Sequence, residues 1–148
     1  MWARVTIPRW LKLPYIEQIF TKEKILEIYL NIIEYGPDIY GIHKAAYHFF
    51  NKHPSNLTAL ESAYLVSIIP SPVRRYLSYC IGRVTDGIRN LMNFNLSRMV
   101  SQGIIDIETY EQFLDKKIVF NRKNFWGEYF GKCSRFLNIP TYRVKKDH

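Results

Sequence analysis

The sequence predicts an all-α protein. Three observations carry that reading. Apolar residues recur at helical spacing along most of the chain. Thr58 and Glu61 stand three apart as a capping box before an apolar run. Alternating strand patterns and hairpin turn signals are absent.

The elements follow in order. Thr21 is placed to cap a helix from about Lys22 to Tyr35, with Ile25, Tyr29, Ile32 and Ile33 on one inward face. Gly36-Pro37 stops it. A second helix follows Gly41 and buries Ile42, Ala45, Ala46, Phe49 and Phe50; the small pair lets another helix approach closely. The capping box opens a third helix that runs to Ile69, where Pro70-Ser71-Pro72 ends it. A loop is expected through about Tyr79. The longest helix spans about Val84 to Gln102, with Ile88, Leu91, Met92, Leu96, Met99 and Val100 inward and Gly103 as its C′ residue. Asp106 caps a short helix burying Tyr110, Phe113 and Leu114. Ile118-Val119-Phe120 reads as a brief extended run, and Asn124 opens a last helix to about Phe136. Before Thr21, Pro8 and Pro14 keep any helix short or kinked, yet Ile7, Trp10, Leu11, Leu13, Ile16, Ile19 and Phe20 call for burial.

The 148 residues are enough to bury a core without disulfides or metals. With 47% apolar and 23% charged residues, a disordered tail is excluded. Two cysteines, Cys80 and Cys133, are too few for a disulfide scaffold, and no CxxC pair suggests zinc. Their pairing is left open. No run approaches the roughly 18 apolar residues of a membrane span, and residues 1–8 lack the pattern of a signal peptide.

The net charge of +8 is unevenly spread. Residues 1–115 hold 12 basic and 11 acidic side chains, whereas residues 116–148 hold nine basic against two acidic, with seven aromatics among them. Basic residues interleaved with aromatics fit an anionic membrane surface or a nucleic acid. The plainer reading is a solvated basic tail with its own small core. The chain thus divides into a helical part, 1–118, and a basic aromatic extension, 119–148.

Catalytic signals read from single residues are weak. His43, His48, His53 and His148 have no metal-ligand spacing, and there is no Gly-rich phosphate loop or GxSxG elbow. A lone helical histidine is more often a surface or core residue than a ligand. No metal and no cofactor is expected.

One ordered set of blocks is more specific. Ile25-Leu26-Glu27-Ile28-Tyr29-Leu30-Asn31 is followed by Gly36, then by Gly41, Ala45, Ala46, Phe49, Phe50 and Lys52. These resemble the ILExYLNxxxxG and GxxxAAxxYFxK motifs of the family-51 peptidoglycan glycosyltransferases, with Phe49 in place of the motif's Tyr. Leu57-Thr58, Glu61 and Leu65 are similar to the family's LTxxEAAxLA helix. Pro70 to Tyr76 is similar to its LPxxPxxY segment, and Arg98-Met99, Gly103, Ile105 and Tyr110 to its RMxxxGxIxxxEY region. The resemblance covers roughly residues 16–118 and implies the C-terminal part of a lysozyme-like domain.

The family joins a lipid-linked disaccharide to a growing lipid-pyrophosphate chain. A carboxylate deprotonates the acceptor hydroxyl, and cationic groups stabilise the departing pyrophosphate. Its catalytic Glu lies in an EDxxFxxHxG motif, followed by GGSTIxQQ; neither occurs in this sequence. The positions of a later RKxxE motif fall on Val5, Thr6 and Arg9, and none matches; Arg9, Lys12 and Glu17 are the nearest substitutes. No catalytic residue is assigned, and whether the chain is an enzyme stays open. The resemblance implies a truncated or degenerate domain, inactive as an isolated chain, at the inner membrane of a bacterial envelope. Its partner would be a lipid-linked precursor or glycan. The alternative is a basic binding module for an anionic membrane or, less favoured, a nucleic acid.

Substrate contacts are expected, if anywhere, at Glu27, Tyr29, Asn31, Arg74 and Arg75. For the first three the plainer reading is buried hydrogen bonding and helix packing, and for the arginines a solvated loop. Gly36, Gly41, Ala45, Ala46, Phe50 and Lys52 are expected to be structural.

Overall fold

A computed structural model of the chain describes residues 18–122 and 130–137. Helix α1 spans Lys22–Ile32, with the Thr21 hydroxyl accepting the Lys24 N–H at 3.3 Å. It ends three residues earlier than the apolar pattern predicts. Ile33 turns extended, and the chain forms β1 (Glu34–Gly36), paired antiparallel with β2 (Ile39–Tyr40) in the register Glu34↔Tyr40 and Gly36↔Ile39. This small ribbon is absent from the all-α expectation. Extended backbone at Tyr35 drives its ring fully into the core while Glu34 faces the other way.

Helix α2 (Ile42–Phe50) buries Ala45, Ala46, His48, Phe49 and Phe50, and a left-handed Asn51 closes it. A 3-10 turn at Pro54–Asn56 leads to α3 (Ala59–Ile68), where the capping box is made as expected. The Thr58 hydroxyl accepts the Glu61 N–H, and the Glu61 carboxylate accepts the Thr58 N–H. The expected loop after Ile69 holds two short helices instead, α4 (Pro72–Arg75) and α5 (Leu77–Ile81). Pro70 follows the last residue of the α3 cap and stops that helix, and Pro72, pre-set for helix at the first position of α4, starts the next.

Helix α6 (Asp86–Ser101) is the longest described. Ile88, Met92 and Leu96 point inward, and Gly103 at φ +70 receives the expected left-handed turn. The Gly103 N–H donates to Val100 and the Ile104 N–H to Met99, satisfying carbonyls at the helix end. Asp106 caps α7 (Ile107–Asp115) through the Thr109 N–H at 2.6 Å. Tyr110 and Phe113 are half-buried, but Leu114 is exposed rather than inward. Helix α8 spans Phe130–Leu137; its expected start at Asn124 lies outside the described residues.

The core lies mainly between α3 and α6, with α2 and α5 closing one side. Its centre is aromatic. The Phe49 ring meets Tyr64 at 5.7 Å and Tyr79 at 5.5 Å edge-on, and Phe50 stacks on Phe120 at 6.2 Å. Offset and edge-to-face geometries of this kind are the favoured ones for aromatic pairs. Ile118 and Phe120 are buried while Val119 between them is 82% exposed, the alternation of an extended segment. Cys80 and Cys133 form a disulfide joining α5 to α8.

The inward face predicted for α1 is a correction. The helix has no buried residue. Tyr29 and Ile32 are exposed and Ile25 and Ile33 only half-buried. Ile19 and Phe20 are exposed as well, and the other apolar positions predicted to be buried before Thr21 lie outside the described residues. A helical stripe identifies a face but not what covers it.

Candidate functional site

The site candidates fall on three separate elements. On α1, Glu27 is exposed and paired with the Lys24 ammonium at 3.0 Å, an i,i+3 contact worth little in solvent. The Asn31 side chain donates to the Glu27 carbonyl at 2.9 Å, also in solvent. Tyr29 is half exposed. The buried hydrogen bonding expected of these three is not what the structure holds; all three face outward, where a ligand can reach them.

The ribbon and α2 follow. Gly36 lies flat against Tyr76, and a Cβ there would sit 2.8 Å from the ring. Gly41 has φ +82, and a Cβ would come within 2.6 Å of the Asn31 carbonyl. That close approach lets the Gly41 N–H donate to Ile33 at 2.9 Å and folds α2 back beside α1. Ala45 and Ala46 are fully buried and Phe50 nearly so. Lys52 reaches the Glu61 carboxylate at 2.8 and 3.0 Å, tying the end of α2 to the capping box of α3.

The arginines occupy a third place. Arg74 and Arg75 lie on α4, not in a loop. Arg75 donates to the Ser67 carbonyl, whereas Arg74 is exposed. Both line a cleft of about 400 Å³ with Ser71, Ser78, Thr85 and Ile88, and none of its lining residues comes from α1. An apolar cleft of about 220 Å³ lies between α1, α2 and α3, lined by Leu30, Tyr35, Ile42, Leu57, Leu65 and Ile69. The structure therefore does not bring Arg74 and Arg75 into one cleft with Glu27, Tyr29 and Asn31. The positions aligned with an RKxxE motif lie outside the described residues.

His48, read from the sequence as a surface or core residue and not a ligand, lies in the core. Its Nε2 hydrogen-bonds the Tyr76 hydroxyl at 3.0 Å, and its ring packs among Phe49, Tyr76 and Tyr79. Burial holds its pKa down at about 3, with Lys132 and Lys44 adding to the effect, so the imidazole is neutral. The local signal was present: position 48 shares a helix face with buried Ala45, three residues earlier. Among the described residues, no cluster of three or more His, Cys, Asp or Glu could hold a metal. No helix among them is long and apolar enough to cross a membrane.

The helical body, with its small ribbon folded over Gly36 and Gly41, defines the class of protein, a mainly helical domain. The transglycosylase family matches residues 10–100, more than half of the chain, and the chain belongs to that family. It is 51% identical over 59 residues to a biosynthetic peptidoglycan transglycosylase of Pectobacterium carotovorum, covering 40% of this chain and 24% of that protein. A protein of the same description from Yersinia pestis is 52% identical over 59 residues, with the same coverage. The chain thus spans about a quarter of the length of these curated relatives. Among solved structures, it is similar to penicillin-binding protein 1A of Haemophilus influenzae, with a TM-score of 0.58 and 31% identity over 69% of this chain and 15% of the other.

Proposed function

We propose that residues 16–118 form the C-terminal part of a peptidoglycan glycosyltransferase domain, contributing to glycan polymerisation from a lipid-linked disaccharide. The observation that carries this is the 51% identity over 59 residues to a biosynthetic peptidoglycan transglycosylase. The steric demands at Gly36 and Gly41 support it, because each explains a residue type the motifs require. In this reading the described residues build the helical wall of the cleft and offer Glu27 and Asn31, one turn apart on α1, and Tyr29 from the other side of that helix to the substrate. The EDxxFxxHxG motif that carries the family's general base does not occur in this sequence, so this polypeptide alone should not extend glycan chains.

A chimera tests the proposal. The 59 matching residues of the Pectobacterium relative are replaced by those of this chain, and polymerisation of lipid-linked disaccharide is followed by gel. Retained chain growth supports the reading. A folded but inactive chimera overturns it, and so does chain growth by the 148-residue polypeptide itself.

We infer further that residues 116–148 contact the anionic surface of the inner membrane. Nine basic side chains and interleaved aromatics support this, at about 1 kcal/mol at most for each cation near the bilayer. The boundary near residue 118 is then one of charge and function, not of packing, since Phe120 lies in the core. Co-sedimentation with anionic and neutral vesicles tests it. Binding to anionic vesicles only, lost on deleting residues 116–148 and weakened by salt, is expected. Equal binding by the shortened chain, or preference for DNA at matched salt, overturns it.

A further inference from the structure

The turn between β1 and β2 is held by two lysines from different helices. Asp38 adopts φ +59, a left-handed conformation that aspartate enters at some cost. Lys44 on α2 donates to the Asp38 carbonyl at 2.7 Å. Lys132 on α8 donates to the Pro37 carbonyl at 2.8 Å and lies 3.3 Å from the Asp38 carboxylate. That carboxylate is well exposed, so the carbonyl bond is the firmer of the two. Lys132 is the immediate neighbour of Cys133, and Cys133 is bonded to Cys80 on α5. Upstream of α8, the Asn121 N–H donates to Phe49 at 2.7 Å, and the Asn121 carbonyl accepts the Tyr79 hydroxyl at 3.0 Å. The stretch from 118 to 122 is therefore seated on the core by its own hydrogen bonds. The described part of α8 has the disulfide as its covalent tie.

We infer that the Cys80–Cys133 bond is a redox-set latch: oxidised, it seats α8 so that Lys132 clamps the Pro37–Asp38 turn, and reduced, it leaves that turn to Lys44. The turn joins the segment carrying Asn31 and Gly36 to the one opened by Gly41, so the latch governs how firmly α1 is set against α2. Closing it is a two-electron exchange. The Cys80 and Cys133 thiols give up two hydrogens and form one S–S bond, while an external disulfide is cleaved and becomes two thiols. The co-reactant is thus a disulfide carrier, small or protein-borne, and the chain must meet it in an oxidising compartment. Both cysteines are at most 2% exposed, so a reductant reaches the bond only when α8 lifts.

Hydrogen exchange read by mass spectrometry tests the latch without reference to glycosyl transfer. The full chain is compared oxidised, reduced with a phosphine, and as the oxidised Lys132→Met variant. On reduction, amides in residues 34–41 should exchange about tenfold faster or more while those of α3 and α6 keep their protection. Lys132→Met should loosen the same amides with the disulfide intact and α8 still protected. If residues 34–41 are unchanged on reduction, or loosen only together with α3 and α6, the bond is a general staple and the latch is wrong. Loosening on reduction without any effect of Lys132→Met overturns the assigned clamp.

Discussion

The Tyr76 hydroxyl lies 3.0 Å from Nε2 of His48, joining two residues 28 positions apart beneath Gly36. Gly36 packs on the Tyr76 ring, so the hydrogen bond that orients the ring also shapes the floor under the ribbon.

Acid should weaken the fold through His48. Its native pKa is held down at about 3 by burial and by Lys132 and Lys44, against 6.5 for an unhindered histidine. The unfolded chain therefore binds a proton that the native chain refuses between these values. Stability from the neutral imidazole is complete above about pH 6.5 and falls as the pH drops toward 3, by up to about 1.4 kcal/mol per pH unit. Urea unfolding between about pH 5 and 7.5 measures the slope. His48→Gln should flatten it; an equal slope in the variant would assign the effect elsewhere.

Two buried tyrosines should respond oppositely to loss of their hydroxyls. The Tyr64 hydroxyl is buried with no hydrogen-bond partner among the described residues, and burial raises its pKa. Tyr64→Phe removes an uncompensated polar group and should leave stability unchanged or raised by up to about 1 kcal/mol. Tyr76→Phe removes the buried hydrogen bond to Nε2 of His48 and should cost about 1–2 kcal/mol. Chemical denaturation of both variants gives the comparison.

The two motif glycines should not be equally replaceable. Alanine at position 36 meets the buried Tyr76 ring, which His48 holds by a hydrogen bond, at a cost of about 1–3 kcal/mol. Alanine at position 41 meets a backbone carbonyl while holding φ +82, so the strain adds to the clash and the loss should exceed that at Gly36. Thermal unfolding of Gly36→Ala and Gly41→Ala ranks them.

Removing the disulfide should cost stability through the unfolded state. The bond closes a separation of 53 residues that includes α6 and α7. Cys133→Ser should lower stability by about 2–4 kcal/mol, since the unfolded chain regains that loop entropy. Guanidinium unfolding of the variant beside the oxidised chain checks the value.

What the sequence determined by itself is local. The Thr58–Glu61 capping box, the Asp106 cap and the turn at Gly103 each act within a few residues, so the residues that specify them are neighbours in the sequence. The motif glycines were legible too, as an ordered pattern whose steric cause became visible only at the Tyr76 ring and the Asn31 carbonyl. Tertiary structure decided the rest. Apolar spacing marked a face on α1 but not its exposure, because spacing says nothing of what lies opposite. The ribbon displaced the end of α1 because Tyr35 and Ile39 gain burial in extended backbone, a choice made by the core and not by helix propensity. His48 with Tyr76 and Cys80 with Cys133 pair across 28 and 53 residues. No local rule reaches that far: such contacts exist only after the helices between them have packed.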